Sequence, residues 1–394
     1  MLNRNEKGEK MRRIYMDYAA TTPVDPRVFE AMKPHFMTNF GNTMSLYTIG
    51  REAKRALEES REKVASLIKA KKSDVIFTGS ATESNNLALK GFVFANKKKG
   101  KHIIISSIEH HCVLDSAHWL EKQGFEVTFL PVDKYGLVDP KQLEDHIRKD
   151  TILVSIIHAN NEIGTIEPIK EIGKVCHDHD VYFHTDAAQS FGKIPIDVNK
   201  MNIDMLTANA HKMYGPKGVG ALFVRQGIKL EPLLHGGGHE FGLRSSTVNV
   251  AGVVGFGAAV DVAKKEMNSE AKRLSKLRDK LIEGALKIDN SHLNGHPTER
   301  LPNNTNFWFA FIEGESLVLH LDMKGVAAST GSACSSETLE PSHVLTAIGL
   351  RPEQAHGSLR LTLGKQNKDA DIDYVLEVLP GIVENLRKIS PFKK

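Results

Sequence analysis

The feature that most constrains the fold is an alternation of short apolar runs with amphipathic segments between residues 50 and 225. The apolar runs are typical of buried strands and lie at residues 75–77, 103–106, 127–130, 152–157, 182–184, 205–207 and 221–224. Segments at 51–68, 82–95, 113–123, 140–148 and 169–179 carry apolar residues at helical spacing. Strands that alternate with helices predict an α/β fold in which helices cover both faces of a mostly parallel sheet.

The pattern changes after residue 250, where longer helical segments follow one another. Residues 250–264 and 272–286 are predicted to form two helices, followed by a strand at 304–311, a helix at 315–323 and a last helix at 369–388. We therefore predict an N-terminal tail and joining segment (1–24), a large domain (25–264) and a small α+β domain (265–394). A cleft between two such domains is a common ligand site.

The charge balance and the cysteine content exclude several classes of protein. The chain has 52 Lys+Arg and 48 Asp+Glu, a net charge of +4, which is too small to indicate a nucleic-acid or membrane-surface partner. The longest uncharged stretch, near residues 250–260, is too short to cross a bilayer. Three cysteines (Cys112, Cys176 and Cys334) cannot form a disulfide framework, and the N-terminus has no apolar signal segment. We therefore expect a cytoplasmic protein.

Ligands of an open parallel sheet bind beyond the carboxyl ends of its strands, so the residues there are candidates for a site. The strand at 75–77 leads into a Gly/Ser turn and a helix start, where Ser80 and Glu83 fit a capping box. Exposed N–H groups at such a turn suit a phosphate, although taken alone the turn is better explained as an ordinary capped helix, because such turns are common. His110 follows the next strand, where a lone histidine is more often structural.

Two charged residues at the same sheet edge make the pattern more specific. Asp186 ends the strand that begins at residue 182, and Lys212 follows the strand at 205–207. A structural salt bridge would explain this pair. The pair also matches what pyridoxal 5′-phosphate needs, which is a lysine for covalent attachment and an acid for the pyridine nitrogen. Together with the phosphate-type turn and His110, the cofactor interpretation is favoured.

Motifs along nearly the whole chain carry a family resemblance. They are DYAATTP (17–23), ATESNN (81–86), NNEIG (160–164), HTDAAQ (184–189), HKMYGPKG (211–218), GGGHE (236–240) and STGSACSS (329–336). The sequence resembles cysteine desulfurases of the NifS/IscS kind, in the class V aminotransferase branch of fold-type I pyridoxal-phosphate enzymes. Cys334, in a Gly/Ser-rich loop, resembles the nucleophile of the subgroup with a longer, mobile cysteine loop.

The resemblance implies a role for each matching residue. Around the cofactor, Lys212 would bind it covalently, Asp186 would face the pyridine nitrogen, Gln189 and Asn161 would lie at the ring hydroxyl, His110 would stack on the ring, and Ala81, Thr82, Asn209 and His211 would bind the phosphate. Thr247 would reach the phosphate of the neighbouring subunit, which implies a homodimer, and Arg360 would bind the substrate carboxylate. Cys334, Lys212 and His110 would be the catalytic residues.

The implied reaction converts L-cysteine into L-alanine and leaves the sulfur as a persulfide on Cys334. An iron–sulfur scaffold protein or another sulfur acceptor, such as a carrier for tRNA or cofactor thiolation, would then receive the sulfur. Whether Cys334 also ligates a transferred cluster stays open. The sequence departs from the family pattern at two positions of the site: Asn209 stands where the family usually has serine, and Tyr47 where it often has histidine.

Three other interpretations remain. A selenocysteine lyase or another class V aminotransferase would share most of these residues, but transamination needs no thiol and thus no Cys334. A binding protein with a degenerate site would not need Lys212, Asp186 and Arg360 together. A nucleotide-binding protein is disfavoured because the turn at 79–81 matches neither a dinucleotide fingerprint nor a P-loop. Cys112 and Cys176 are expected to be small buried residues.

Overall fold

The computed structural model describes residues 13–330 and 341–391. Within these ranges the strands are β1 (Ile14–Tyr15), β2 (Val75–Thr78), β3 (His102–Ser106), β4 (Glu126–Leu130), β5 (Thr151–Ser155), β6 (Tyr182–Asp186), β7 (Met205–Asn209), β8 (Gly220–Val224), β9 (Ser291–Leu293), β10 (Asn304–Phe309), β11 (Val326–Ala327) and β12 (Ser358–Thr362). Strands β2 to β8 form the central sheet in the order β2-β8-β7-β6-β5-β3-β4. Only β8 runs antiparallel to its neighbours, so the prediction of a mostly parallel sheet is confirmed.

Helices connect these strands and cover both faces of the sheet. In the described part of the chain they are α1 (Pro26–Met32), α2 (Pro34–Met37), α3 (Thr48–Leu67), α4 (Ala81–Asn86), α5 (Phe92–Asn96), α6 (His111–Lys122), α7 (Pro140–His146), α8 (Ile169–Asp178), α9 (Val250–Ala285), α10 (Gly314–Met323), α11 (His343–Ala347), α12 (Pro352–His356) and α13 (Asp369–Ile389). A π-helical turn (Leu87–Gly91) joins α4 to α5. None of the described helices is both long and apolar enough to span a membrane.

The central sheet is buried on both faces, which explains why its strands are almost continuously apolar. Successive side chains of a strand point to opposite faces. In β3, Ile104 joins one apolar cluster, whereas Ile103 and Ile105 join the cluster on the other face. All three side chains are fully buried. The double burial fixes the strand register, because a shift by one residue would exchange the two sets of side chains.

The two helices predicted at 250–264 and 272–286 are one helix, α9 (Val250–Ala285), so that prediction was wrong. Residues 265–271 are mostly polar but contain neither Gly nor Pro, and nothing in them ends a helix. The first half of α9 packs on the central sheet through Val253, Phe256 and Val260. Its second half joins a separate apolar cluster with β10 and β12. The domain boundary at 264/265 stays a prediction, and it falls where the contacts of α9 change.

The first described residues contact the C-terminal part of the chain rather than the central sheet. Strand β1 pairs in parallel with β11, and Ile14 and Met16 are buried in the same apolar cluster as β10 and β12. Asp17 then bridges to Thr362 at the end of β12. This path brings residues 17–22 to the carboxyl edge of the central sheet, since Thr22 bonds to the backbone of His211.

Candidate active site

A cleft of about 1000 Å³, open to solvent and lined by several charged and polar residues, lies at the carboxyl ends of β2, β3, β6 and β7. Ten of the predicted site residues line it: Ala81, Thr82, His110, Asn161, Asp186, Gln189, Asn209, His211, Lys212 and Arg360. Thr247 is exposed and does not line this cleft. Cys334 lies outside the described residues. The fold therefore brings together residues that are far apart in the sequence.

The turn after β2 forms the start of α4 and one wall of the cleft. Ser80 is the N-cap, and its Oγ accepts a hydrogen bond from the amide of Glu83 at 3.1 Å. The Glu83 carboxylate accepts from the amide of Gly79 at 2.8 Å instead of from Ser80, so only half of the predicted capping box forms. Ala81 and Thr82 belong to the first helical turn, where N–H groups have no partner inside the helix and suit an anion.

Strand β8 passes this turn at very short range. A Cβ atom at Gly220, the first residue of β8, would lie 2.6 Å from the carbonyl carbon of Ser80. Only glycine permits this approach without moving the turn. The cleft wall therefore depends on Gly220, a residue without a side chain that no chemical motif indicates.

Asp186 is the last residue of β6 and is 4% exposed. Its Oδ1 accepts from the amide of Ala188 at 2.8 Å, and its Oδ2 accepts from Nδ2 of Asn85 at 2.6 Å. Both of these donors are neutral. A buried carboxylate favours a cationic partner. The Asp186 carboxylate therefore suits a cationic group of a ligand bound in the cleft.

His110 is the N-cap of α6 and faces the same cleft. Its Nδ1 accepts from the amide of Cys112 at 3.2 Å and lies 3.1 Å from the Cys112 Sγ. Burial, followed by the charge of Lys212, lowers the pKa of His110 to about 4. Near neutral pH the ring is uncharged, and because Nδ1 accepts a hydrogen bond, the ring proton belongs on Nε2. His110 can therefore donate a proton or stack on a ring.

Lys212 follows β7, and its loop is tied to the end of that strand. The backbone amide of Lys212 donates to Oδ1 of Asn209 at 3.2 Å. Asn209, the departure from the usual serine, is buried and thus has a structural use besides lining the cleft. Nδ1 of the neighbouring His211 lies 3.2 Å from Oγ1 of Thr21, and burial lowers the pKa of His211 to about 4.

Arg360 in the middle of β12 forms the far wall of the cleft and is 3% exposed. Its Nη1 donates to the carbonyl oxygen of Asn161 at 3.0 Å, and its Nη2 donates to Oδ1 of Asp17 at 2.9 Å. Its Nε is buried without a partner among the described residues. A buried donor without a partner is costly in a protein interior, and a carboxylate bound in the cleft would satisfy it.

The structure corrects one of the two cysteine predictions. Cys176, in α8, is buried as expected. Cys112 is only partly buried and lines the cleft, because the first turn of α6 starts at the sheet edge. Burial nevertheless raises the pKa of the Cys112 thiol to about 12, so it stays protonated at neutral pH. The expectation that Cys112 is a small buried residue was therefore wrong.

Several residues of the site were not singled out in the sequence. Asn85, whose Nδ2 donates to Asp186, lies in the motif at 81–86. It is one helical turn after Ala81, so both residues lie on the same side of α4. Glu162 and His343 also line the cleft. Oε2 of Glu162 accepts from Oγ of Ser342 at 2.6 Å, and burial raises the pKa of Glu162 to about 7. No local pattern predicts this contact, because its partners are brought together by the tertiary fold.

Comparisons with known proteins agree with this geometry. A family model described as aminotransferase class-V matches residues 14–375. The cysteine desulfurase IscS of Dictyoglomus turgidum is 56% identical over 384 residues, which are 97% of this chain and 98% of that protein. A solved NifS-like protein has a TM-score of 0.89 and 38% identity, covering 95% of this chain and 100% of its own. A structure named "SspA in complex with cysteine" has a TM-score of 0.80 and 41% identity, covering 89% and 98%.

The fold and the cleft define an α/β enzyme with a lysine and an acid at one sheet edge. With a family match over most of its length and a relative at 56% identity, the chain belongs to the aminotransferase class-V family and, within it, to the cysteine desulfurases. The resemblance seen in the motifs is confirmed. Pyridoxal 5′-phosphate is the cofactor of this family. The groups of the cleft fit it, since a helix start suits the phosphate and the buried Asp186 carboxylate suits a protonated ring nitrogen.

Proposed function

We propose that this chain is a pyridoxal-phosphate-dependent cysteine desulfurase that converts L-cysteine to L-alanine and leaves a persulfide on Cys334. The observation that carries the proposal is that Lys212, Asp186 and Arg360 line one cleft. Two similar proteins support the same reaction. One is the cysteine desulfurase IscS at 56% identity, and the other is the solved structure of SspA in complex with cysteine. The reaction is balanced, because L-cysteine and the Cys334 thiol yield L-alanine and the Cys334 persulfide.

The residues that would hold the cofactor surround the cleft. Lys212 would bind it covalently, Asp186 would face its ring nitrogen, and the first turn of α4, with Asn209 and His211, would hold its phosphate. When bound, the cofactor supplies an electron sink next to the α-carbon of the substrate. Gln189 and Asn161 would face the ring hydroxyl, and His110 would stack on the ring.

The substrate would be oriented by its carboxylate and attacked at its sulfur. Arg360 offers the unpartnered Nε–H to the carboxylate, while Asp17 and the Asn161 carbonyl fix the guanidinium from the other side. The Lys212 amine would move the α-proton. The Cys334 thiolate would form a bond to the substrate sulfur as the carbon–sulfur bond breaks. The carbon fragment keeps the electron pair and takes up protons to become alanine.

Each site would be completed by a second copy of the chain. Thr247 is exposed and lies outside its own cleft, which is consistent with a contact to the phosphate in a partner subunit. The segment before α3 is also unusually apolar for an exposed surface: Phe36, Met37, Phe40, Met44, Leu46 and Tyr47 are all more than half exposed. Such a surface is typical of a subunit interface. Sedimentation should show a dimer, and an active, stable monomer would contradict it.

Two finer points belong to this proposal. The persulfide sulfur would pass to an iron–sulfur scaffold protein or another acceptor, and the cysteine count of the sequence favours a cytoplasmic location. A selenocysteine lyase would use the same cleft residues, so activity with both amino acids must be compared. A transaminase would need a keto-acid acceptor and would not need Cys334.

The proposed function is tested by incubating the purified protein with L-cysteine without any keto acid. L-alanine and, with a reductant, sulfide should appear in equal amounts. Mass spectrometry without reductant should detect one extra sulfur atom on the chain. Alanine formation that requires a keto acid would contradict the proposal and favour a transaminase.

A further inference from the structure

A second cleft, of about 590 Å³ and mostly apolar, adjoins the first one at Lys212, which lines both. Its walls include Val262, Ala263 and Met267 of α9. It contains a second lysine, Lys193, for which neither the motifs nor the proposed reaction gives a role. Lys193 reaches this cleft from the turn after β6, the strand that carries Asp186.

Lys193 contacts a residue of the cofactor site directly. Its Nζ donates to Oε1 of Gln189 at 3.4 Å, while Nε2 of Gln189 donates to the carbonyl oxygen of Ala19 at 2.9 Å. A flipped carboxamide would place two donors together at Lys193 and two acceptors together at Ala19. Gln189 is 3% exposed, so water does not offer it other partners. The orientation of the carboxamide is therefore fixed, and its second N–H group remains available to the cleft.

The acidic groups around Lys193 are already engaged. Glu266 pairs with Arg27 at 2.6 Å and with Lys365 at 2.7 Å, and Glu270 pairs with Arg273 at 2.8 Å. Within the described residues Lys193 itself forms no ion pair. The two tyrosines of the cleft, Tyr18 and Tyr214, stay uncharged because burial raises the pKa of both.

Lys193 and Lys212 line the same cleft, and the charge of Lys212 acts on Lys193. Burial, followed by the charge of Lys212, lowers the pKa of Lys193 to about 7. The charge of Lys193 also contributes to the lowered pKa of His211, which lies next to Lys212 in the chain. Because electrostatic coupling is reciprocal, a positive charge on Lys193 disfavours a proton on the Lys212 nitrogen.

We propose that Lys193 is a positioning residue of the cofactor site. It holds Gln189 as a donor toward the ring hydroxyl and, when protonated, adds a positive charge beside Lys212. The proposal rests on the cofactor contacts assigned above to Gln189 and Lys212. It concerns the state of the site before substrate binds, and can therefore be tested without turnover.

The experiment is a pH titration of the visible absorbance of the bound cofactor in substrate-free holoenzyme. Lys193→Met removes the hydrogen bond to Gln189 and the positive charge of Lys193. Both losses favour a proton on the Lys212 nitrogen. The apparent pKa of the absorbance change should rise by about one unit, a tenfold change in the acid dissociation constant. Cofactor affinity should also fall. Lys193→Arg should titrate like the parent, as should Lys200→Met at an exposed position of the same segment.

An unchanged titration and unchanged cofactor affinity in Lys193→Met would overturn the proposal. Lys193→Gln serves as a second variant without the charge if the methionine variant does not fold. Lys212→Ala separates this outcome from a failure of the proposed function. If that variant keeps the same pH-dependent visible absorbance, the assignment of Lys212 is wrong, and the role of Lys193 falls with it.

Discussion

Asp186 differs from an ordinary buried carboxylate because its two hydrogen-bond donors are neutral. Asp186→Asn keeps the shape of the side chain but removes the negative charge that would hold a pyridine nitrogen protonated. We expect the kcat/KM for L-cysteine to fall by more than the roughly 10²–10⁴-fold usual for one acid–base group. Steady-state alanine formation measures this loss, and a decrease below tenfold would remove Asp186 from the site.

The sequence predicted the residues whose chemistry is recognisable at a strand end. Lys212, Asp186 and His110 each follow a buried strand, so the parallel sheet alone brings them to one edge. Asn85 and Cys112 were not predicted, because neither carries a charge and their contact spans two separate βα units. The partner of Arg360 was also missed, since Asp17 reaches it only through the pairing of β1 with β11.

The segment between β8 and α9 is held by a buried ion pair on α3. Arg61 donates to both carboxylate oxygens of Glu240, at 2.6 and 2.8 Å, and the two side chains are 2% and 3% exposed. Glu240 and Phe241 both adopt left-handed backbone conformations, with φ of 47° and 59°, which are unfavourable for residues other than glycine. The ion pair therefore stabilises a turn that the local sequence does not favour.

Arg61→Ala should destabilise the protein strongly, because it leaves the Glu240 carboxylate buried without its partner. The expected loss in the free energy of unfolding is about 3–5 kcal/mol. Denaturant titration measures it, with Arg55→Ala, at an exposed position on the same helix, as the control. Equal midpoints for the two variants would contradict the account of this turn.

Strands were predicted more accurately than helix ends. The strands of the central sheet are buried on both faces, so each gives a clear apolar run between polar segments. Helix α9 shows the opposite case, since its two halves pack on different apolar clusters and its polar middle resembles a loop. Only the absence of Gly and Pro in residues 265–271 indicated continuity, and tertiary contacts decided the outcome.

Across the whole molecule, Glu109 couples stability to pH. It is fully buried, its Oε1 accepts from Oγ of Ser106 and the amide of Ile157, both at 2.6 Å, and its Oε2 has no partner among the described residues. Burial raises its pKa from 4.5 to about 8. Between these two pH values the folded state keeps a proton that the unfolded state has lost. The stability that this proton gives to the folded state is lost as the pH rises from about 4.5 to 8.

Glu109→Gln removes that proton equilibrium while keeping the acceptor oxygen. Between pH 6.5 and 8, the parent should lose stability relative to the variant by about 1 kcal/mol per pH unit. Buried histidines such as His158 and His184 titrate below this window, because burial lowers the pKa of each to about 4. Unfolding midpoints over this pH range measure the difference, with Glu59→Gln at an exposed position as control. Parallel profiles for Glu109→Gln and the parent would show that Glu109 does not titrate there.

The central claim is that sulfur from L-cysteine is transferred to Cys334, and three single variants test it most directly. Cys112 lines the cleft with a thiol whose pKa is raised to about 12, and Cys176 is buried in α8, so neither supplies a thiolate at neutral pH. The measurement is the mass of each protein after incubation with L-cysteine. The parent, Cys112→Ser and Cys176→Ser should each gain one sulfur atom, whereas Cys334→Ser should bind the cofactor but gain none. A persulfide that persists in Cys334→Ser, or one that is lost only in Cys112→Ser, would contradict the account.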